Sequence, residues 1–265
     1  MNVTNAFSWK TSSFRQNSPL LPNNIRGLII GKSNCGKTTL IFNLLLQAGW
    51  LDYNHLYVFG KSLHQIEYTI IRRGFELGLS KKQISNLFIQ QDTLTKFELS
   101  PLEAIESYDG IKDGGIVANF YNDCTSIPDP SSLDSTEKNL LILDDCFLGK
   151  QSKAEAYYTR GRHNNCDTFY IAQNYFRLPR QTIRENSNLI ILFKQDAKNL
   201  SHIYSDHCSQ DILIEEFKDF CKKVWSTRHN FVTIDLTSTP LNGKYRKNLD
   251  CFYLPGIKEC VSFTN

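Results

Sequence analysis

The sequence predicts an α/β fold, in which a mostly parallel β-sheet lies between two layers of helices and a β-hairpin follows at the C-terminal end. Short apolar runs bounded by polar residues are typical of buried parallel strands. Segments with helical periodicity alternate with them, which is the pattern of a three-layer α/β sandwich. Residues 231–236 and 244–254 alternate between apolar and polar side chains on either side of Asn242-Gly243. An Asn-Gly pair in that position predicts the hairpin.

The individual elements follow one another in a regular order. Five apolar runs rich in β-branched and aromatic residues predict strands, which cover residues 25–30, 56–59, 139–143, 167–172 and 189–193. Helical periodicity predicts helices over residues 38–48, 61–79 and 212–224. Residues 92–138 contain two adjacent glycines and a loop with two prolines, and a Ser-Pro pair there precedes a short helical segment. Apart from that segment we expect little regular structure and a substrate-facing insertion.

Length and composition indicate one domain with additions at both ends. The chain has 265 residues, of which 41% are hydrophobic and 22% are charged, as in ordinary globular proteins. We expect an N-terminal arm over residues 1–24, a core over residues 25–240, and a hairpin and tail packed on that core over residues 241–265. The net charge of +3 is too small to indicate nucleic-acid binding by itself.

The sequence predicts neither a membrane segment nor a secretory signal. No run approaches the roughly 18 apolar residues that cross a bilayer, and residues 1–24 lack a continuous apolar segment. The eight cysteines are scattered and form no C-x-x-C pair. This distribution predicts reduced thiols in the cytoplasm or nucleus, and no membrane partner.

A phosphate-binding loop is predicted between the first strand and the first helix. Its sequence matches G-x-x-x-x-G-K-[ST] at every constrained position. Gly31 and Gly36 let the backbone N–H groups face an anion, while Lys37 reaches the β- and γ-phosphates and Thr38 ligates magnesium. A chance match in a glycine turn is the alternative, but a strand precedes the loop and a helix follows it. The predicted nucleotide-binding residues are Gly31, Lys32, Ser33, Asn34, Cys35, Gly36, Lys37, Thr38 and Thr39.

Two adjacent carboxylates follow the strand over residues 139–143. In open parallel sheets ligands bind where strands end, so both acids are expected to face the phosphate loop. Asp144 suits a magnesium ligand, and Asp145 suits the base or positioning group for the water that attacks the γ-phosphate. An ordinary strand end is the alternative. The second acid favours hydrolysis over transfer of phosphate to a small molecule.

Polar residues around the next strand complete the predicted site. Gln173 ends that strand and is expected to contact the γ-phosphate or the attacking water, with a loop-capping amide as the alternative. Arg160 and Arg162 lie in a basic segment that suits a catalytic arginine inserted into a neighbouring subunit. A solvated loop or a DNA-backbone contact fits that segment equally well. Arg180 and Arg184 are second candidates for the inserted arginine.

Several segments in a fixed order resemble the genome-packaging ATPases of poxviruses, Polinton (Maverick) elements and related large DNA viruses, within the FtsK–HerA superfamily. These segments are GKSNCGKTTL, LLILDDCF, GRHNN, YIAQN and LPRQTIRENS followed by LIILFKQ. The similarity to Polinton-type members is greatest and covers residues 25–193. By position, Lys37 and Thr38 match the Walker A residues, Asp144 and Asp145 match the Walker B pair, and Gln173 matches the polar sensor. The superfamily often has glutamate at the second acid, so the shorter aspartate leaves the position of the attacking water open.

The resemblance implies a RecA-like P-loop NTPase core of the ASCE class that binds ATP and Mg²⁺. It also implies a homo-oligomeric ring, a hexamer or pentamer, that moves double-stranded DNA, with capsid proteins as further partners. The expected location is the host cytoplasm or nucleus, or the virion. We therefore predict an ATPase that packages or translocates viral DNA. A helicase or recombination-type DNA ATPase and a small-molecule P-loop kinase are the alternatives.

Overall fold

One ten-stranded sheet organises the part of the chain that the computed structural model describes, which comprises residues 17–93, 100–146 and 151–262. The strands are β1 (Arg26–Ile30), β2 (His55–Gly60), β3 (Val117–Tyr121), β4 (Asn139–Asp144), β5 (Cys166–Ala172), β6 (Leu189–Leu192), β7 (Val232–Asp235), β8 (Tyr245–Lys247), β9 (Cys251–Leu254) and β10 (Glu259–Ser262). Their spatial order is β10-β9-β8-β7-β6-β1-β5-β4-β2-β3. The strands from β6 to β3 run parallel, and β7 to β10 continue the sheet in antiparallel pairs. The predicted α/β class and the antiparallel C-terminal hairpin are confirmed.

Helices cover both faces of this sheet. Within the described residues they are α1 (Lys37–Leu46), α2 (Ile66–Glu76), α3 (Lys81–Thr93), α4 (Pro101–Glu106), α5 (Ser152–Arg160), α6 (Ala197–His207) and α7 (Ile214–Val224). The core has two clusters because side chains alternate along a strand. Leu28 packs in the cluster that includes Phe217 of α7, whereas Ile29 packs in the cluster that includes Leu44 of α1. None of the described helices is long and apolar enough to cross a membrane.

The region over residues 92–138 is more regular than the sequence predicts. β3 pairs in parallel with β2 at one edge of the sheet. Both ends of β3 are exposed and its centre is half-buried, and Asn119 interrupts the apolar run that is typical of a buried strand. The expected short helix is α4, which Ser100 and Glu103 begin with a capping box.

A disulfide joins Cys124 and Cys146, which corrects the expectation that all thiols are reduced. Their Cα atoms lie 5.8 Å apart although 22 residues separate them in sequence. The reason is topological: β3 and β4 flank β2 in parallel and end at the same edge of the sheet, and each cysteine follows one of these strands. Because β3 was not anticipated, this proximity was not visible in the sequence.

A buried ion pair ties the N-terminal segment to the sheet. Asp167 of β5 is only 1% exposed and lies 3.0 Å from the ammonium of Lys138. It also accepts hydrogen bonds from the Ile25 N–H at 2.7 Å and from the Asn17 side chain at 2.6 Å. Burial raises the pKa of Asp167, while the charge of Lys138 and these hydrogen bonds oppose the rise. The carboxylate therefore joins two strands and the segment that precedes β1.

A second polar cluster lies where α6 packs beside the segment that follows β5. The Tyr175 hydroxyl donates to Asp206 at 2.8 Å and lies 2.7 Å from His207 Nε2. The buried Arg184 guanidinium pairs with the same Asp206 carboxylate at 2.9 Å. Burial lowers the pKa of His207 to about 4, helped by the charges of Lys244 and Arg184 and opposed by Asp206.

The first prediction concerns the buried pair. Replacing Asp167 by asparagine leaves the Lys138 ammonium buried without its counter-charge, so Asp167→Asn should lower the free energy of unfolding by about 3–5 kcal/mol. Glu185→Gln is the matched control, because it breaks an exposed pair with Arg180 and should cost about 0–1 kcal/mol. Urea unfolding measures both changes, and equal losses in the two variants would contradict the assigned role of Asp167.

The second prediction concerns pH. The unfolded chain binds a proton at His207 with a pKa of about 6.5, whereas the folded chain does so only near 4. His207 therefore contributes stability above pH 6.5 that is lost as the pH falls toward 4. The difference in unfolding free energy between the parent and His207→Gln should shrink over this interval. A difference that stays constant with pH would show that His207 does not titrate in this way.

Candidate active site

The phosphate loop has the backbone geometry that its glycines permit. β1 ends at Ile30 and α1 begins at Lys37, so the loop is a tight strand-to-helix connection. Gly36 has φ +108°, which favours glycine. A Cβ atom on Gly31 would lie 2.5 Å from Cys35 Sγ and 2.7 Å from Phe193 Cβ, so a larger residue would displace the loop. The loop is thus folded back on itself against β6.

Lys37 lies across the mouth of this loop. Its ammonium donates to the carbonyl oxygens of Gly31 at 2.6 Å and Lys32 at 2.7 Å. Burial raises the pKa of the Cys35 thiol, although the charge of Lys37 opposes the rise. Cys35 therefore fills space within the loop as a neutral side chain.

The paired acids face the loop across one strand. Asp144 ends β4, where it lies opposite Gly60 of β2 and Ile171 of β5. Asp145 turns away from the strand direction with φ +52°, and its N–H donates to the Ile171 carbonyl at 3.0 Å. The two carboxylates consequently leave the strand end in different directions.

Asp144 is held by a residue that sequence analysis did not select. The buried Tyr68 hydroxyl of α2 donates to Asp144 Oδ2 at 2.7 Å. Burial raises the pKa of Asp144; the Tyr68 hydrogen bond and the charge of Lys37 oppose the rise, and the charge of Asp145 adds to it. The hydrogen bond fixes one carboxylate oxygen.

Gln173 contacts the second acid directly. Its Nε2 atom donates to Asp145 Oδ2 at 3.2 Å, and the side chain is otherwise exposed. The carboxamide comes from the end of β5, which lies between the strand carrying the loop and the strand carrying the acids. The contact is made with a carboxylate, in contrast to the loop-capping amide considered from the sequence.

A cavity of about 570 Å³ brings the predicted residues together. Most of the predicted set lines it, namely Ser33, Asn34, Gly36, Lys37, Thr38, Thr39, Asp144, Asp145 and Gln173. Ser62, Gln65 and Glu67 also line it and follow β2, so their place after a parallel strand was a usable signal. His229 lines it as well, from the segment between α7 and β7, and no sequence motif marks that residue.

The arginine candidates lie elsewhere in the same chain. α5 runs from the carboxyl edge of the parallel strands back to their amino edge, where the carbonyl of Asn165 accepts from the Asn139 N–H at the start of β4. Arg160 lies at this end and pairs with Asp129 at 3.1 Å, with more than half of its side chain exposed. Arg162 is close enough to Arg26 for its charge to lower the pKa of that guanidinium, although burial is the larger cause. Neither arginine reaches the cavity of its own chain.

The two second candidates differ from each other. Arg184 is 8% exposed and pairs with Asp206 inside the fold, so it is unable to reach another subunit, and this corrects its place among the candidates. Arg180 is exposed and pairs with Glu185 of its own turn at 3.2 Å.

Comparison with known proteins identifies the fold. No protein-family profile matches the sequence, and no curated protein matches it. The genome packaging NTPase B204 from Sulfolobus turreted icosahedral virus 2, in complex with sulfate, is similar with a TM-score of 0.51 and 15% identity over 86% of this chain and 96% of that chain. The same NTPase in complex with AMPPCP gives a TM-score of 0.50 at 14% identity over 86% and 97% of the two chains. This chain therefore shares the fold of the B204 NTPase along almost the whole length of both.

Proposed function

We propose that the chain is a magnesium-dependent ATPase that couples hydrolysis to the movement of double-stranded DNA, as the packaging motor of a virus or virus-like mobile element. The observation that carries this proposal is the convergence of the phosphate loop, the paired acids and Gln173 on one cavity. The fold shared with a viral genome packaging NTPase supports the biological role.

ATP would bind through groups whose chemistry suits a triphosphate. The N–H groups of the loop and the positive end of α1 attract the phosphates. Lys37 would exchange its contacts with the Gly31 and Lys32 carbonyls for phosphate oxygens. Thr38 and Asp144 line the same cavity and present the oxygen ligands that Mg²⁺ prefers. When bound, the ion neutralises charge that develops on the phosphates.

Asp145 is our candidate for orienting the attacking water. Its carboxylate lies in the cavity and accepts a hydrogen bond from Gln173, which holds the acid at a fixed angle to the strand end. A carboxylate beside bound water accepts its proton as the bond to phosphorus forms. Gln173 is in contact with this acid and would sense whether the γ-phosphate is present.

The motor would work as a ring, a hexamer or pentamer, as the resemblance to packaging ATPases implies. The arginines and the cavity of one chain lie at opposite edges of the sheet, which suits a site completed by a neighbouring chain. Arg160 or Arg162 would then complete the site of a neighbouring chain. Double-stranded DNA and capsid proteins are the proposed partners, in the host cytoplasm or nucleus or in the virion. A helicase or recombination-type ATPase would share this core. The paired acids disfavour a small-molecule kinase.

The first test is ATP hydrolysis with and without double-stranded DNA. Lys37→Ala removes the charge that reaches the phosphates and should lower turnover by at least about a hundredfold. Lys82→Ala removes the same charge from the exposed face of α3 and should leave turnover unchanged. DNA should stimulate the parent and the control. Turnover that ignores DNA, with phosphate appearing on a small acceptor, would replace the motor proposal with a kinase.

A further prediction concerns Tyr68, which donates a hydrogen bond to the proposed magnesium ligand Asp144. Tyr68→Phe removes the hydrogen bond that orients Asp144, so half-maximal hydrolysis should require about 10–100 times more Mg²⁺. Tyr57→Phe removes a hydroxyl from the neighbouring strand β2 and serves as the control. Magnesium titration at saturating ATP measures the effect. An unchanged requirement in Tyr68→Phe would exclude Asp144 as the ligand that Tyr68 positions.

A further inference from the structure

A second cavity opens beside the phosphate loop. It has a volume of about 340 Å³ and is lined by Gly36, Thr39, Leu40, Asn43, Phe193, His229 and Phe231. Three of these residues also line the 570 Å³ cavity, namely Gly36, Thr39 and His229. A molecule whose phosphates lie in the first cavity therefore has a continuous wall leading into the second.

The walls of this second cavity suit a flat aromatic ligand. Phe193 and Phe231 meet with their ring centroids 5.4 Å apart and their planes tilted by 49°. Both rings are largely buried, at 2% and 8% exposure, and Leu40 adds a half-buried aliphatic surface. Ligand pockets of this size are usually apolar with a few polar groups that fix orientation. Here those groups are Asn43, His229 and Thr39.

His229 is held against the phosphate loop. Its Nδ1 atom lies 3.2 Å from the carbonyl oxygen of Cys35. Because a carbonyl only accepts, Nδ1 is the donor, and Nε2 of the neutral ring is left as an acceptor. The residue has φ +66°, an uncommon conformation outside glycine. The ring thus presents an acceptor in the wall that both cavities share.

Asn43 supplies a second polar group in the lining of this cavity. It is exposed on α1, one turn after Thr39, so both residues lie on the same face of the helix. A carboxamide offers one donor and one acceptor, which pair with the N7 acceptor and the N6 amino donor of adenine. Guanine presents acceptors at both N7 and O6, so one of the two pairings is lost.

We infer that the second cavity binds the nucleobase of the nucleotide, that Asn43 selects adenine over guanine, and that His229 provides a second polar contact to the base. This inference rests on the proposed ATPase function, since the triphosphate must lie along Lys37 for the base to reach the cavity. A neighbouring groove between α1 and α2, which Gln47 lines and which shares Asn43 with the second cavity, is the competing place for the base. The groove lacks the contacting pair of aromatic rings and the imidazole.

The experiment measures the affinity of the full-length chain for ATP, GTP and inorganic tripolyphosphate, each with Mg²⁺, by calorimetry. Asn43→Ala removes the carboxamide. His229→Gly removes the imidazole without straining the φ of +66°. Gln47→Ala removes the same carboxamide group from the residue that follows α1, where it lines the competing groove and not the second cavity. Each of the first two variants should weaken ATP by about tenfold while leaving tripolyphosphate unchanged. Asn43→Ala should also lose the preference for ATP over GTP.

Other outcomes separate this inference from the proposed function. Equal weakening of ATP and tripolyphosphate would mean that Asn43 and His229 act on the phosphate loop, which overturns the inference. Weakening of ATP binding in Gln47→Ala, with His229→Gly unchanged, would move the base to the competing groove. If the parent binds tripolyphosphate and ATP equally well, the phosphate-binding site is supported and the inferred base-binding site is overturned. If the parent binds neither ligand, the proposed function is wrong, and the inference that rests on it is wrong as well.

Discussion

The position of β5 between β1 and β4 is the constraint on which the site depends. Parallel pairing aligns Ile30 with Ala172 on one side of β5 and Asp144 with Ile171 on the other. Neighbouring strands lie about 4.8 Å apart, so the strand that carries the loop and the strand that carries the acids are separated by about 10 Å. In the proposed function, this separation would place the phosphates between Lys37 on one side and the carboxylates of Asp144 and Asp145 on the other. Gln173 follows the middle strand, and its carboxamide lies within hydrogen-bond distance of Asp145.

The sequence was informative wherever a functional residue directly follows a buried strand. The phosphate loop and the paired acids each follow a continuous apolar run. The sequence therefore predicts the strand and the polar residues after it from the same pattern. The mostly parallel sheet and the terminal hairpin follow from the same periodicities. By contrast, β3 is a short edge strand in which Asn119 interrupts the apolar run, and the region around it was consequently described as irregular.

Contacts between residues far apart in the sequence could not be predicted from local sequence patterns. His229 meets Cys35 across 194 residues of sequence, and neither residue belongs to a motif that points to the other. Tyr68 is one turn into a helix with mixed polarity, and only the fold shows that its hydroxyl ends at Asp144. The sequence also suggested a residue that the fold uses differently. Arg184 has the charge that a catalytic arginine needs, but its burial against Asp206 makes it part of the framework.

The basic segment that holds Arg160 and the cavity lie at opposite edges of the sheet, so the two ends of the molecule differ. β4 spans six residues, so its first and last Cα atoms are about 17 Å apart. Arg160 lies at the amino edge and the paired acids lie at the carboxyl edge. An arginine of this segment meets a nucleotide only when the amino edge of one copy approaches the carboxyl edge of the next. Such a contact joins two different surfaces, and repeating it produces a closed ring or an open helix, never a two-fold dimer. The handedness and pitch of any assembly of this kind are then set by the angle between those two surfaces.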